Sequence, residues 1–272
     1  MAVTPKPLGK SKKKPSGDVS GTVDRTLRLL QFVADTGQFS LKQCVEAVQL
    51  PTSTVHRMLQ ILTRRDFIER NGQQTYSVSR EFFRMGSLAA QKFDLNNTAR
   101  PHLEAIFAQF QESCSFALFL PGLHSGMIVD AINTPFPLKY LLEPFKPWPL
   151  AWGSLGRSML AHLPEEEVAA ILAAAPPSPG TGLPPPTPAS LAAELAGIRA
   201  LGHYVSVNQN VLGATGTASA VLGMDGEVIG SIGMTVPLAR YDPGNQPAMS
   251  ETITRHAREL SAALGFRRSR AA

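Results

Sequence analysis

The sequence lacks the features that mark secreted and membrane proteins. Its 272 residues include only two cysteines, Cys44 and Cys114, which lie far apart and outside any CxxC or Cys/His cluster. No run of about 20 apolar residues is present, and the N-terminal stretch has no apolar core of a secretory signal. These absences predict a cytoplasmic protein whose two cysteines are buried thiols rather than a disulfide or a metal site.

Catalytic and cofactor motifs are missing as well. The sequence contains no GxSxG, Walker loop, GxGxxG or HExxH, and its six histidines are scattered. Three consecutive acids, Glu165 to Glu167, stand at a predicted helix start, where the helix dipole explains them. We therefore expect no cofactor and no metal site, and an enzyme is the weakest of the possible functions.

A basic N-terminal part is the first positive feature. A hydrophobic content of 43% is ample for packed cores in one or two domains. Residues 1 to 100 hold 16 Lys and Arg against 8 Asp and Glu, a charge of +8, whereas the remainder holds 10 against 13, a charge of −3. This asymmetry favours a nucleic-acid module followed by a different domain. The alternative is a solvated basic surface, because Lys6 to Lys14 supply part of the excess.

The segment LPTSTVHRMLQIL, residues 50–62, predicts an amphipathic helix with an unusual polar side. Val55, Met58, Leu59 and Leu62 recur at i, i+3, i+4 and i+7 and form one apolar stripe. The opposite side offers hydroxyl, imidazole, amide and guanidinium groups without an acid, which suits contacts to base edges and phosphates. Its residues are Ser53, Arg57, Gln60 and Arg64, flanked by Thr54 and His56.

The segments upstream predict two further helices. TVDRTLRLLQFVADTG predicts a helix that ends at Gly37. SLKQ, at 40–43, has the pattern of a capping box that begins a second helix, and Pro51 separates this helix from the next. Two helices joined by so short a turn are typical of a helix-turn-helix, whose second helix enters the major groove. The predicted buried face of the first helix consists of Val23, Leu27, Leu30 and Ala34.

The segment DFIERNGQQTYSVS downstream predicts a β-hairpin with a two-residue turn at Asn71-Gly72. A hairpin after a helix-turn-helix forms a wing. Arg70, with Gln73 and Gln74, is placed to contact phosphate or the minor groove, although residues at such a tip are equally often solvated. Lys42 and Arg64, near the edges of the motif, are predicted to contact phosphates, and Arg57 to contact a base.

Residues 22 to 266 resemble the IclR-type transcriptional regulators, and the STVHRMLQ stretch is the most specific match. The resemblance implies a winged helix-turn-helix, a linking helix, a GAF-like α/β domain that binds a small effector, and a dimer or a dimer of dimers. It also implies that a set of residues in the recognition helix lies at the DNA. This set is Thr52, Ser53, Thr54, His56 and Arg57, although Thr52 could instead cap the helix.

The predicted fold class is α+β, with a winged helix-turn-helix joined by a linker helix to a GAF-like α/β domain. The predicted domains are a disordered basic tail at 1–21, the winged helix-turn-helix at 22–79, the linker helix at 80–95, the effector-binding domain at 96–266 and a C-terminal tail at 267–272. Within the larger domain, alternating helix and strand patterns predict an α/β sandwich. PPSPGTGLPPPTP predicts an exposed loop, and Asp225-Gly226 a hairpin turn.

The linker segment predicts a seam of Phe82, Met85, Ala89 and Phe93, with Phe83 beside it. So much apolar surface either packs on the chain's own wing or pairs with a second subunit. Pairing is favoured, because a dimer matches a two-fold DNA site.

Two segments correspond to the pocket of the resembled family, PLAWGSLGRSMLA and NQNVLGATGTASAV. Ala151 and Trp152 stand where the family favours a histidine and a small residue, which predicts a reshaped pocket. Amides and hydroxyls in these segments suit a polar or aromatic effector. The predicted effector-binding residues are Trp152, Ser154, Gly156, Asn208, Gln209, Thr215, Thr217 and Ser219. Alternatively, the small residues only let strands pack closely, and the protein is a ligand-independent DNA-binding dimer.

The sequence thus predicts a sequence-specific DNA-binding regulator. Its expected partners are operator DNA, a small organic effector and a second copy of the chain. As the resemblance implies, the regulator represses neighbouring catabolic genes and responds to the effector.

Overall fold

A computed structural model describes residues 21–72, 75–92 and 95–266. The predictions made for the N-terminal tail up to residue 20, for the C-terminal tail, and for Gln73, Gln74 and Phe93 concern residues outside these ranges. The chain divides into two compact units, the first of which ends at Lys92. Each unit has its own apolar core.

The first unit begins with three helices, α1 at Thr22–Thr36, α2 at Leu41–Val48 and α3 at Thr52–Arg64. Only three residues separate α2 from α3, and the first of them, Gln49, takes a left-handed conformation with φ of 52°. This residue ends α2 and turns the chain sharply into Pro51, which begins the next helix. The predicted helix-turn-helix is confirmed.

The predicted capping box at the start of α2 is present. The Ser40 hydroxyl accepts a hydrogen bond from the Gln43 backbone N–H at 3.3 Å. In return, the Gln43 side-chain oxygen accepts from the Ser40 backbone N–H at 2.8 Å. Both groups are therefore satisfied at the helix end, which fixes where α2 begins.

Helix α1 buries a different face from the predicted one. Leu29 and Val33 are fully buried, whereas Val23 and Leu27 are 73% and 55% exposed. Apolar residues cover much of the circumference of α1, so the helical period fits two overlapping stripes. The stripe that faces Phe39 and the rest of the core is the one that is buried.

The wing is a three-stranded antiparallel sheet in the order β1-β3-β2. Its strands are β1 at Gln38–Ser40, β2 at Ile68–Asn71 and β3 at Thr75–Val78. Strand β1 was not predicted, because its three residues are too few to show an alternation. Asn71 pairs with Thr75, so the hairpin connection contains three residues and not the predicted two.

The second unit is built on one antiparallel sheet of six strands in the order β6-β5-β4-β9-β8-β7. The strands are β4 at Ser113–Leu120, β5 at Ser125–Ile132, β6 at Pro147–Pro149, β7 at Tyr204–Val207, β8 at Ala214–Leu222 and β9 at Val228–Pro237. The β8–β9 connection contains the predicted turn, in which Gly226 has a φ of 81° that favours glycine.

Helices cover both faces of this sheet and confirm the predicted α/β sandwich. One face carries α5 at Leu95–Phe110 and α9 at Gln246–Ala263. The other carries α6 at Gly153–Leu160, α7 at Glu165–Ala174 and α8 at Pro188–Leu201. The proline-rich segment between α7 and α8 forms a loop, as predicted.

Cys44 and Cys114 are fully buried free thiols, as predicted. Burial raises the pKa of Cys44 to about 11 and that of Cys114 to about 12, so both are thiols at neutral pH. In the described parts of the chain, no helix combines the length and the apolarity needed to cross a bilayer.

Candidate DNA interface and effector cavity

Helix α3 presents the predicted polar side to solvent. The stripe of Val55, Met58, Leu59 and Leu62 is buried in the core of the first unit. The nine residues predicted to contact DNA lie on the surface, and only Thr54 among them is half-buried. They are Lys42, Thr52, Ser53, Thr54, His56, Arg57, Gln60, Arg64 and Arg70.

Two shallow hollows flank the start of α3. The hollow between α2, α3 and the wing brings together Lys42, Thr52, His56 and Arg70, which are spread over almost thirty residues of sequence. The hollow on the other side holds Ser53, Thr54 and Arg57. Residues of α1 line it too, among them Arg25, so this basic side chain lies beside the polar face of α3 although it was not predicted there.

The polar side chains on the exposed side of α3 have no hydrogen-bond partner among the described residues. Among the described residues, Arg57, Gln60, Arg64 and Arg70 make no hydrogen bond or ion pair with one another or with the rest. No side chain caps the N-terminus of α3, where Pro51 is the cap residue, so Thr52 does not cap the helix. Free backbone N–H groups at a helix N-terminus are a site for a phosphate.

Helix α4, at Arg80–Lys92, follows the wing and exposes apolar side chains on two sides. The Phe82 ring packs edge-on against Phe67, with 6.1 Å between centroids, so this residue belongs to its own wing. Met85 and Leu88, each 43% exposed, lie together on one side of the helix, and Phe83, 74% exposed, lies on the other. Of the predicted seam, Phe82 thus packs on its own wing, whereas Met85 stays exposed in the single chain.

The second unit contains a cavity of about 600 Å³, within the range of small-molecule sites. It lies between the α6 face of the sheet, the start of α6 and two loops. Its apolar wall includes Trp148, Trp152 and Leu142. Pro179 of the proline-rich loop also lines it. The Trp152 indole N–H donates to the Pro176 carbonyl at 2.9 Å and helps to hold this loop in place.

Two serine hydroxyls form a polar corner of the cavity. Ser154 and Ser206 line it and are each only 7% exposed, and their hydroxyls make no hydrogen bond with the described residues. Between them lies Gly216, where an added Cβ would come within 2.6 Å of the Ser154 Oγ. Neither Oγ atom is fully buried, so each can hydrogen-bond to water or to a ligand in the cavity. The corner is therefore suited to a ligand with hydrogen-bonding groups.

A network of side chains sets the position of the α6 N-terminus. Gln209 accepts from the Gly153 backbone N–H at 3.1 Å and donates to the Tyr204 hydroxyl at 2.8 Å. Tyr204 donates in turn to Glu194 at 3.1 Å, and Arg157 pairs with the other oxygen of Glu194 at 2.8 Å. Gln209 thus connects the cavity to the buried Arg157.

The structure places four of the eight predicted effector-binding residues at this cavity. Trp152, Ser154, Gln209 and Thr215 line the cavity, although the Thr215 hydroxyl donates to the Ser206 carbonyl, at 3.2 Å. The remaining four do not line it. They are Gly156, Asn208, Thr217 and Ser219.

Each of these four has another structural role. Gly156 allows α6 to approach the Leu150 carbonyl, which a Cβ would meet at 2.2 Å. Asn208 accepts from the Gly213 backbone N–H at 2.7 Å and stabilises the turn before β8. Thr217 hydrogen-bonds Gln246 of α9, and Ser219 donates to the Gly202 carbonyl, so both face away from the cavity.

Several residues that line the cavity were not predicted, notably Tyr140, Lys146, Trp148 and Ser206. Tyr140 and Lys146 belong to a long connection without a repeating pattern, and Ser206 lies in a four-residue strand. Strand pairing was the only signal that could have found Ser206, because it stands opposite Gly216.

Two family descriptions match the sequence. Residues 22–72 match the IclR helix-turn-helix domain. Residues 87–262 match "Bacterial transcriptional regulator IclR C-terminal". This chain belongs to the IclR family. It is a DNA-binding transcriptional regulator with an effector-binding C-terminal domain.

Relatives of this IclR-family chain align over nearly its whole length. It is 25% identical to the HTH-type transcriptional regulator BhcR of Paracoccus denitrificans, over 97% of this chain and 95% of the relative. It is 22% identical to the transcriptional repressor IclR of Escherichia coli, over 97% of this chain and 98% of that one.

Solved structures share the fold. An IclR-type regulator from Silicibacter superposes with a TM-score of 0.80 at 21% identity, covering 91% of this chain and 97% of the other. An IclR homologue from Microbacterium hydrocarbonoxydans, complexed with 4-hydroxybenzoate, gives a TM-score of 0.71 at 21% identity, with 90% and 99% covered. The predicted fold class is confirmed.

Proposed function

We propose that this regulator represses neighbouring genes in the cytoplasm by binding an operator as a dimer, and that a small organic effector changes its hold on the DNA. The observation that carries the proposal is the polar side of α3, whose exposed Arg57, Gln60 and Arg64 have no partner among the described residues. A relative named as a repressor supports the sign of regulation. A catalytic role is not part of the proposal, in keeping with a family of regulators.

Helix α3 is proposed to lie in the major groove. Arg57, in its second turn, reads a base edge, and its uncapped N-terminus binds a phosphate. Basic residues around the helix then contact the DNA backbone. Lys42 and Arg70 do so on the side of the wing, and Arg64 at the far end of the helix.

A shift assay with the duplex upstream of its own gene tests this function. We expect a discrete complex at moderate salt that survives an excess of unrelated duplex, since specific sites bind about 10³-fold or more tighter than nonspecific ones. A reporter behind the same sequence should be expressed more strongly when the regulator is deleted. Equal binding to both duplexes would contradict a sequence-specific regulator.

The dimer interface is proposed to include Met85 and Leu88 of α4. Two exposed apolar side chains on one side of a helix are typical of a surface that a partner covers, and a second copy matches a two-fold operator. Changing both residues to Glu should convert dimers into monomers, because a buried pair of like charges opposes association.

Light scattering measures this effect. Arg80→Glu is the matched control, because it changes the charge by the same two units on a different side of α4 and should leave the dimer intact. If the double variant folds and remains a dimer, the interface lies elsewhere, for example on the exposed Val23 and Leu27 of α1.

The effector is proposed to be a small aromatic or otherwise planar acid. Ser154, Ser206 and the α6 N-terminus form a polar corner that suits a carboxylate, and Trp148 and Trp152 offer an apolar wall for the rest of the molecule. The homologue complexed with 4-hydroxybenzoate shows such a ligand on the same fold.

A thermal-shift screen of small aromatic and aliphatic acids tests this assignment. A ligand should raise the melting temperature and change the complex seen in the shift assay. If no acid stabilises the protein while it still binds its operator, the ligand-independent dimer becomes the better account.

A further inference from the structure

A cluster of three metal-binding groups lies in the second unit, outside the cavity. His102 comes from α5, and His256 and Glu259 from α9, where they are three residues apart and share one side of the helix. The two helices cover the same face of the sheet. No local pattern predicts the cluster, because 154 residues separate the two histidines.

The separations of the three ligand atoms fit a metal ion. The Nδ1 atoms of His102 and His256 are 3.0 Å apart, and the Glu259 Oε2 lies 3.4 Å from His256 Nδ1 and 3.7 Å from His102 Nδ1. Zinc bonds of about 2.0–2.2 Å in a tetrahedron place neighbouring ligand atoms about 3.3–3.5 Å apart. An ion about 2.1 Å from all three atoms therefore needs side-chain shifts of only a few tenths of an ångström.

The surroundings suit a three-ligand site with one open position. The His256 and His102 side chains are 7% and 18% exposed, whereas Glu259 is 47% exposed, which leaves a path for the ion and for a bound water. Arg255 lies 3.5 Å from the other oxygen of Glu259, Oε1, and orients the carboxylate with Oε2 toward the rings. Burial lowers the pKa of both histidines, which favours the neutral form that binds metals.

A simpler arrangement is a single hydrogen bond in which one Nδ1 donates to the other. It accounts for the 3.0 Å between the two Nδ1 atoms but not for a carboxylate oxygen at comparable distances from both nitrogens. A shared ion accounts for all three separations. We propose that His102, His256 and Glu259 bind a divalent transition metal, with Zn²⁺ as the best fit, and that the ion clamps α5 to α9.

Cobalt and zinc titrations of the full-length, chelator-treated protein without a histidine tag test the site. We expect one Co²⁺ per chain with the intense visible absorption of tetrahedral cobalt, displaced by Zn²⁺. Zinc at about a hundredfold excess over its Kd should raise the melting temperature by about 5 °C or more, because the ion binds only the folded form.

Single-residue variants test whether the metal ion binds at this cluster. Glu259→Gln keeps the shape of a half-exposed side chain and should weaken Zn²⁺ affinity at least about tenfold, as should His102→Gln. His124→Ala, which removes a half-exposed histidine of another region that lies near Glu167, is the control and should bind one equivalent like the parent. If His102→Gln fails to fold, Glu259→Gln alone decides. The absence of stoichiometric binding, or binding that Glu259→Gln leaves unchanged, would overturn the proposal in favour of the histidine–histidine hydrogen bond.

Discussion

Helix α3 and strand β8 differ in how well their functional side could be predicted. On α3, one side is apolar and buried and the other is polar and exposed, so the pattern itself selects the side that faces a partner. Strand β8 is covered by helices on both faces, and its nine residues are nearly all small. The alternation of side chains along a strand places Thr215, Thr217 and Ser219 on one face of the sheet. It does not predict which face borders the cavity.

A polar side chain therefore indicates function only where it would otherwise have water as its sole hydrogen-bond partner. A hydroxyl on the exposed side of α3 has no hydrogen-bond partner in the core. The Thr217 hydroxyl, by contrast, accepts a hydrogen bond from Gln246 where β8 packs against α9. On β8, the residues that line the cavity are Ala214, Thr215 and Gly216, and the Thr215 hydroxyl is already used in a hydrogen bond to the Ser206 carbonyl. The two serine hydroxyls of the polar corner come instead from α6 and β7, across from Gly216.

We expect the largest effect when a variant on the buried side of α3 is compared with one on its exposed side. Leu59→Ala removes a fully buried side chain and should lower the free energy of unfolding of the first unit by about 2–5 kcal/mol. Gln60→Ala, its exposed neighbour, should change it by no more than about 0.5 kcal/mol. Urea denaturation followed by far-UV circular dichroism measures both. Similar losses in the two variants would mean that the two sides of α3 are not distinct.

The next largest effect distinguishes the hydroxyls that border the cavity from those on the other face of β8. Removing both cavity hydroxyls, with Ser154→Ala and Ser206→Ala, should weaken binding of an acid found in the screen by about 10- to 100-fold, since each lost hydrogen bond costs about 1 kcal/mol or more. The matched pair Thr217→Val and Ser219→Ala removes two hydroxyls from the other face and should lower stability without changing this affinity. Calorimetric titration with the acid compares them, and a loss of affinity in the second pair alone would restore the original prediction.

The smallest effect concerns the edge of the DNA interface. Lys42→Ala and Arg64→Ala should each weaken binding to every duplex alike and lower the slope of log affinity against log salt by about one unit, as for loss of one phosphate contact. Fluorescence anisotropy at several salt concentrations measures the slope. Unchanged slopes in both variants would restrict the interface to the centre of α3.

Local patterns predicted the elements that have a strong periodicity or a specific end signal. The capping box at Ser40, the break at Pro51 and the turn at Gly226 depend on neighbouring residues, which is why these boundaries were found. The short strands β1 and β6 and the buried face of α1 depend on tertiary packing. The same holds for the His102 cluster, since no local pattern joins α5 to α9.

The cavity was only partly predictable for a related reason. Trp152 and Ser154 belong to a segment with a recognisable pattern, whereas Tyr140 and Lys146 come from a connection without one. Long-range strand pairing brings Ser206 opposite Gly216. A prediction of such a site needs the order of the strands in the sheet, which no local pattern in the sequence specifies.

The central claim is that the exposed side of α3 reads DNA, and Arg57→Ala tests it most directly. Arg57 is exposed, and neither an ion pair nor a hydrogen bond joins it to the described residues, so its removal should leave folding unchanged. Loss of a base contact should cost about 1–3 kcal/mol on the operator and relax the preference at one base pair, with little effect on other duplexes. A well-folded Arg57→Ala protein that binds its operator with unchanged affinity and unchanged base preference would contradict the account.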